Sequence, residues 1–256
     1  MKGKRKTKTS PLSYTERTYR TLAGSGLVSS YVKMMETDLH IMAPVPVEDE
    51  ALRAVIELRH QLEEHIRAQP LFLESLHPLP MDERAPRIVR KMLRAGKEAG
   101  VGPMAAVAGA IAEEVGHRLH ALGINDLIVE NGGDIFIARN TTCTVAILAG
   151  PSPLSKSVGV RLAPGMLPAG VCCSSGSVGH SLSLGVADAV VVVSDSTPLA
   201  DAAATRIGNE VDGRRGCVDR ALRLAGEIRG VRGVVIVLGT RLGAWGEIEL
   251  VGLREK

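Results

Sequence analysis

Asp201 and Thr205 stand four residues apart in the alanine-rich segment Ala200-Asp201-Ala202-Ala203-Ala204-Thr205. On a helix, residues at this spacing project from the same face, so a carboxylate and a hydroxyl would lie side by side. Completed by phosphate oxygens and water, these two oxygen donors suit Mg²⁺. The alternative is that Asp201, close to the start of a helix, only complements the helix dipole. The spacing thus indicates a candidate metal pair and leaves a structural interpretation open.

A second segment, residues 170–181, is crowded with glycine, serine and cysteine. Exposed backbone N–H groups in such a segment can cradle phosphate oxygens, and Ser174, Ser175 and Gly176 are its candidate cofactor-binding residues. The segment lacks the Gly-Lys-Ser/Thr ending of a P-loop and the G-x-S-x-G spacing of a nucleophile elbow. A surface loop without a ligand is the alternative.

The same segment holds the candidate catalytic residues Cys172, Cys173 and His180. Exposed near a positive charge, the two adjacent cysteines would form a reactive thiol pair. Buried, they would pack as small side chains. His180 is a candidate general acid or base, or else a hydrogen-bonding loop residue.

The third segment is Glu130-Asn131-Gly132-Gly133-Asp134, which lies between two predicted strands. Asn-Gly and Gly-Gly are favoured in two-residue hairpin turns, so a simple turn is one interpretation. Acidic side chains beside an open turn can also hold a ribose or a metal, which makes all five residues candidates for cofactor binding.

These segments must be positioned by a mixture of helices and consecutive strands. The small side chains after Pro103 predict a helix to Leu122 that approaches a sheet or ligand closely, because Gly109 would otherwise only weaken it. One further helix is predicted from Glu48 to before Pro70, and a basic helix after the following proline-rich loop ends at about Gly100. Two more are predicted from Pro198 to about Asn209 and between Asp219 and Ile228. Predicted strands are residues 15–22, 27–36, 37–42, 126–130, 134–138, 144–148, 157–162, near Val171, 187–194, 233–238 and 246–251, with the last two paired. Runs of consecutive strands favour an α+β fold in one domain, residues 13–256.

Composition excludes several classes of protein. Aromatic residues make up 2% of the chain, which leaves few rings for stacking nucleic-acid bases. The net charge is +3, and five cationic residues among the first eight predict a disordered basic tail over residues 1–12. The apolar runs are too short to cross a membrane, and the four cysteines show no CxxC spacing. We therefore expect a cytoplasmic protein without nucleic-acid or membrane partners, and the short β edges permit a homodimer.

Four segments, in their order along the chain, resemble the ApbE-like superfamily of FAD:protein FMN transferases. They are the small-residue helix (Ala105-Ala106-Val107-Ala108-Gly109), the Glu130–Asp134 turn, Ser174-Ser175-Gly176 and the Asp201–Thr205 segment. The stretches 31–39 and 185–189 look like a cytoplasmic branch of that superfamily. The resemblance implies antiparallel sheets backed by helices, a ligand cleft, and Mg²⁺ bound by Asp201 and Thr205 on the pyrophosphate of FAD. It also implies that the glycine-rich turns line the flavin cleft.

The chain departs from the transferases in two respects. We expect no counterpart of their export signal here, and their His-Pro-Thr-Gly segment is reduced to residues 179–184, of which His180 is retained. Three hypotheses follow from the resemblance. In the first, the protein serves sulfur assimilation and homocysteine biosynthesis, with Cys172 or Cys173 as the sulfur carrier and with protein partners for the transfer. In the second, it is a Mg²⁺-dependent flavin transferase. In the third, it binds a flavin nucleotide without catalysis.

Overall fold

The computed structural model describes residues 26–176 and 184–253. Helices in this part of the chain are α1 (Glu48–Ala68), α2 (Leu71–Glu74), α3 (Arg87–Ala99), α4 (Val107–Ala121), α5 (Thr197–Glu210) and α6 (Cys217–Glu227). Strands are β1 (Val28–Met34), β2 (Thr37–Ala43), β3 (Leu127–Asn131), β4 (Asp134–Ala138), β5 (Cys143–Ala146), β6 (Val158–Leu162), β7 (Ala169–Ser174), β8 (Ala189–Ser194), β9 (Val231–Leu238), β10 (Arg241–Gly246) and β11 (Glu249–Gly252).

Two antiparallel sheets organise these strands. The larger has eight strands in the order β1-β2-β3-β4-β7-β8-β9-β10, and the smaller has three in the order β11-β6-β5. Every adjacent pair is antiparallel. The predicted α+β class is therefore confirmed.

The eight-stranded sheet is covered on both faces, which explains the apolar character of its central strands. In β8, Val190 and Val192 pack into the core shared with the helices, whereas Val191 and Val193 pack into a second core that includes Val160 of the smaller sheet. A strand buried on both faces reads as a continuous apolar run, as residues 189–193 do. Helix α4 lies against β3 and β4, and α5 lies against β7 and β8.

Glycine lets α4 approach its neighbours at backbone distance, as the sequence predicts. A Cβ placed on Gly109 would lie 2.6 Å from the carbonyl oxygen of Thr197 in α5, and one on Gly116 would overlap the ring of Phe136 in β4. This close packing brings the amino-terminal turns of α4 and α5 together, and the candidate site lies at that junction.

The end of the chain differs from the sequence prediction. Residues 246–251 were expected to form one strand paired with residues 233–238, but β9 pairs with β10 across the turn Gly239-Thr240. β11 instead joins β6 in the smaller sheet. The largely exposed β10 has the sequence Arg-Leu-Gly-Ala-Trp-Gly, without a β-rich alternating pattern, so the local sequence carries little strand signal. At the other end, the predicted strand 15–22 and the basic tail lie outside the described residues.

Candidate functional site

Helix α5 carries the predicted metal pair on one face. It begins at Thr197 with Pro198 in its first turn, where a proline ring fits and no N–H is needed. Asp201 lies one turn into the helix and Thr205 one turn further, and both side chains are partly buried. The helix thus brings the carboxylate and the hydroxyl to one face, as their spacing predicts.

Asp201 also binds the start of the neighbouring helix. The backbone N–H of Gly109, in the first turn of α4, donates to Oδ2 of Asp201 at 2.9 Å. The first N–H groups of a helix have no partner within it, and a carboxylate there also complements the helix dipole. Asp201 therefore caps α4 rather than its own helix, a role that its position in the sequence does not reveal.

Asp134 brings a buried carboxylate close to the partly buried Asp201. It is the first residue of β4 and lies opposite Cys172 of β7 in the register. The pKa of Asp201 is raised well above its usual range, first by burial and then by the charge of Asp134, although the N–H groups of Gly109 and Ala108 oppose the shift. Within the described part of the chain, no cationic side chain is among the groups that shift the pKa of Asp201. Two carboxylates in this arrangement favour a bound cation.

The predicted turn connects β3 to β4 and is fastened to α4. Gly132 and Gly133 have φ values of 74° and 124°, which a two-residue hairpin with glycine adopts without strain. The side-chain amide of Asn131 donates to the carbonyl oxygen of Ala108 at 3.2 Å. Glu130 is the neighbouring strand residue, so its side chain leaves the opposite face of the sheet. The turn therefore brings Asn131 and Asp134 to the Asp201 site but separates Glu130 from it.

Cys172 and Cys173 are both in β7, and neither has the environment of a reactive thiol. Cys172 is fully buried, and its thiol donates to the carbonyl oxygen of Thr197 at 3.4 Å. Burial, and after it the charges of Asp134 and Asp201, raise the pKa of Cys172 well above its usual range. Burial and then Asp134 raise the pKa of Cys173 to about 12. Because the thiolate is the nucleophile, these shifts favour a packing role.

The serine-glycine segment follows directly. Ser174 is buried at the end of β7, and Ser175 and Gly176 are partly buried beyond it. The N–H of Gly176 donates to the carbonyl oxygen of Ala187 at 2.8 Å, which leaves this N–H engaged within the protein. His180 lies outside the described residues.

Glu113 is a further buried acid at this junction, which the sequence interpretation missed. It lies on α4, is 5% exposed, and accepts the N–H of Thr197 at the start of α5 at 2.6 Å. Its other oxygen pairs with Nζ of Lys91 at 2.6 Å. The only local signal was the pair Glu113-Glu114 within a helix of otherwise small or apolar residues, which does not say which side chain turns inward.

The donor set fits Mg²⁺ bound together with a phosphate ligand. Within the described residues, no three His, Cys, Asp or Glu side chains are arranged to hold a metal ion by themselves. Mg²⁺ is a hard cation that is commonly bound by one or two carboxylates, with water and substrate phosphates completing the shell. Asp134, Asp201 and the hydroxyl of Thr205 are donors of this kind.

Comparison with known proteins identifies relatives over most of the chain. The family model described as "AbpE bacteria" matches residues 20–229. A UPF0280 protein of Methanosarcina acetivorans is 38% identical over 222 residues, which are 86% of this chain and 87% of that protein. A UPF0280 protein of Methanothermobacter thermautotrophicus is 45% identical over 197 residues, 76% of each chain.

Solved structures share the fold at low sequence identity. The apo form of the flavinyl transferase ApbE of Pseudomonas stutzeri aligns with a TM-score of 0.56 and 14% identity, over 86% of this chain and 93% of that one. The ApbE protein of Thermotoga maritima aligns with a TM-score of 0.51 and 11% identity, over 85% and 96% of the two chains. The predicted ApbE-like resemblance is confirmed. No helix among the described residues combines the length and apolarity needed to cross a membrane.

Proposed function

We propose that the chain binds a flavin nucleotide together with Mg²⁺, because it belongs to the family described as AbpE bacteria and has the fold of the ApbE flavin transferases. It is also similar to UPF0280 proteins. The site is the junction of α4, α5 and the β3–β4 turn. The observation that carries this proposal is the approach of two carboxylates, the buried Asp134 and the partly buried Asp201, beside the first turn of α4, where burial and then the charge of Asp134 raise the pKa of Asp201.

Asp134, Asp201 and Thr205 would hold the cation. When bound, Mg²⁺ neutralises charge on the pyrophosphate of a dinucleotide such as FAD. The protein contributes a fixed Asp201, because the N–H of Gly109 holds its Oδ2. Its second carboxylate oxygen is the better candidate ligand, since Oδ2 already accepts this backbone hydrogen bond.

The β3–β4 turn supplies a surface without side chains beside these carboxylates. Gly132 is exposed and Gly133 partly exposed, so a ligand can reach their backbone N–H groups directly. Asn131 ties the turn to α4 through Ala108. A nucleotide bound over the turn would therefore meet a rigid surface next to the metal ligands.

The reaction we propose is transfer of the FMN part of FAD to an acceptor hydroxyl. A new phosphorus–oxygen bond forms to the acceptor, the pyrophosphate bond to AMP breaks, and the acceptor's proton passes to a base. His180 remains our candidate for that base. Binding of the flavin nucleotide without transfer is the alternative function of the same site, and release of AMP from FAD separates the two.

The sulfur-carrier hypothesis receives no support from the environment of its cysteines. A persulfide carrier needs an accessible thiol that ionises readily. Cys172 has no exposed surface, and burial raises the pKa of both thiols. A role in homocysteine biosynthesis therefore stays a hypothesis that depends on family association.

Equilibrium titration with FAD, with and without Mg²⁺, tests the proposed site. We expect Mg²⁺ to tighten FAD binding to the unchanged protein and to have little effect on Asp201→Asn. The matched control is Asp188→Asn, because Asp188 also accepts a backbone N–H, that of Gly239 at 2.7 Å, but in another part of the fold. AMP release under the same conditions, with a hydroxyl acceptor or water, would indicate transferase chemistry. FAD binding that is independent of Mg²⁺ in all three proteins would contradict the proposal.

A further inference from the structure

We propose that Glu113 is a positioning residue for the metal site: it fixes the start of α5 and thereby the place of Asp201. This inference rests on the proposed Mg²⁺-dependent function. Glu113 itself would touch neither metal nor nucleotide, and it acts through the backbone of Thr197.

The contacts of Glu113 join three helices. Oε2 accepts the N–H of Thr197, the first residue of α5, at 2.6 Å. Oε1 pairs with Nζ of Lys91 from α3 at 2.6 Å and lies 3.8 Å from Nε2 of His117 on α4. Although burial alone would raise the pKa of Glu113, the combined effect of His117, Lys91 and the Thr197 N–H lowers it to about 2. Glu113 is thus an ionised side chain at neutral pH with both oxygens engaged.

Helix α5 depends on this contact because its own sequence supplies no cap. Ser196 occupies the N-cap position but makes no side-chain capping hydrogen bond. The backbone of Thr197 is also confined on two sides, since a Cβ on Gly109 of α4 or on Gly170 of β7 would clash with it. Glu113 therefore fixes a helix start that is already tightly enclosed.

Asp201 is one helical turn from this start and returns the contact by capping α4 at Gly109. The two helices consequently hold each other through a closed pair of carboxylate caps. A small displacement of Thr197 would move Asp201 relative to Asp134, which belongs to the sheet. The spacing of the two candidate metal ligands thus depends on Glu113.

The neighbouring residue provides a matched control. Glu114 is 6% exposed, like Glu113, and its Oε1 pairs with Lys91 at 2.5 Å and Arg87 at 3.2 Å. It lines a groove of about 510 Å³ between α1, α3 and α4, and among the described residues no hydrogen bond joins it to α5. Both acids share Lys91, but the contact with Thr197 belongs to Glu113.

Replacement by glutamine separates their roles because an amide accepts hydrogen bonds through one atom only. Glutamine at 113 must lose either the Thr197 N–H or Lys91, which Glu113 binds through different oxygens. Glutamine at 114 removes the same charge without removing a contact to α5, because Oε1 of Glu114 forms ion pairs with Lys91 and Arg87 but no hydrogen bond. The two variants therefore change the charge equally, but only the one at 113 disturbs a side chain that contacts α5.

The experiment measures Mg²⁺ affinity in the presence of FAD, FAD affinity without Mg²⁺, and the melting temperature of each metal-free protein. We expect Glu113→Gln to weaken Mg²⁺ binding by about tenfold, as for loss of one buried hydrogen bond to a charged group, and to leave metal-free FAD affinity unchanged. Glu114→Gln should retain the Mg²⁺ affinity. Lys91→Met, which preserves the Thr197 contact, should retain it too, and provides a second test where Glu113→Gln folds poorly.

The outcomes distinguish this inference from the proposed function. Loss of Mg²⁺ affinity in Glu113→Gln alone supports the positioning role. Normal Mg²⁺ affinity in Glu113→Gln, or an equal loss in both glutamine variants, overturns it while leaving the proposed function intact. Absence of any Mg²⁺ effect in the unchanged protein overturns the proposed function and this inference with it.

Discussion

Glu113 and Asp201 each cap the helix that carries the other. Glu113 of α4 accepts the N–H of Thr197 at the start of α5 at 2.6 Å, and Asp201 of α5 accepts the N–H of Gly109 at the start of α4 at 2.9 Å. The surroundings of the two carboxylates are opposite, because Glu113 faces Lys91 whereas Asp201 faces Asp134. One acid therefore stabilises the folded protein in its charged form, whereas burial and Asp134 disfavour ionisation of the other, a cost that a bound cation would offset.

We predict that Asp201→Asn raises the stability of the metal-free protein at neutral pH. Burial and then the charge of Asp134 raise the pKa of Asp201 well above its ordinary value of 3.8, so its ionisation costs unfolding free energy that grows as the pH rises above that ordinary value. Asparagine removes that charge and can still accept the N–H of Gly109. Thermal unfolding should show a higher melting temperature, by roughly 2–4 °C for each kcal/mol gained in a domain of this size.

Two comparisons complete that test. Asp201→Ala should be less stable than Asp201→Asn, because it also removes the cap of α4, a loss of about 1 kcal/mol. The advantage of asparagine should shrink as the pH falls towards 3.8, where Asp201 takes up its proton in both states. A metal-free Asp201→Asn that melts below the unchanged protein at neutral pH would refute the electrostatic account of this residue.

Glu113 should have the opposite dependence on pH. The pKa of Glu113 falls from 4.5 to about 2 in the folded protein, which corresponds to about 3 kcal/mol of unfolding free energy. Because the folded pKa is depressed, this contribution is present above pH 4.5 and is lost as the pH falls towards 2. In urea unfolding between pH 2 and 6, the unfolding free energy of Glu113→Gln should therefore fall less with acid than that of the unchanged protein. An equal pH dependence in the two proteins would argue against this prediction.

Gly109→Ala should destabilise the protein despite the better helix propensity of alanine. The new Cβ would lie 2.6 Å from the carbonyl oxygen of Thr197, and overpacking of this kind costs about 1–3 kcal/mol, against a gain of up to about 1 kcal/mol from propensity. Gly165→Ala is the control, because no atom lies within 4 Å of its Cβ position. Equal midpoints of urea unfolding for both variants would contradict the close packing of α4 and α5.

Cys172, which is buried, and Cys173, which is partly exposed, should both react slowly in the folded protein. With the pKa of Cys173 raised to about 12 and that of Cys172 also well above its usual range, little thiolate is present at pH 7. Labelling with a chromogenic disulfide reagent, followed by peptide mass analysis, should modify both residues much faster in denaturant than under native conditions. Rapid native labelling of Cys173 would revive the sulfur-carrier hypothesis.

Local patterns in the sequence account for the parts of the site that are close along the chain. Asn131-Gly132-Gly133 predicts the hairpin turn, and the spacing of Asp201 and Thr205 predicts their common helix face. The approach of Asp134 to Asp201 was not predicted, because it depends on β4 pairing with β7 and on α5 covering that pair. Glu113 was missed for the same reason, since its partners Lys91 and Thr197 come from two other helices.

The edge strand shows a different limit of sequence interpretation. β10 has little apolar alternation and is mostly exposed, so its pairing with β9 is set by the tight turn at Gly239 and Thr240. Gly239 adopts φ 61°, a value at which glycine is unstrained. The misplaced final strand therefore reflects a turn that was overlooked.

The central claim is that Asp134 and Asp201 together hold a divalent cation beside a flavin nucleotide. Calorimetric titration of Mg²⁺ into the FAD-saturated protein tests it most directly, with Asp134→Asn, Asp201→Asn and the control Asp188→Asn in parallel. We predict saturable binding to the unchanged protein and to Asp188→Asn, and a loss of about tenfold or more in each of the other two variants, as for removal of a charged ligand. Equal Mg²⁺ affinity in all four proteins would contradict the claim.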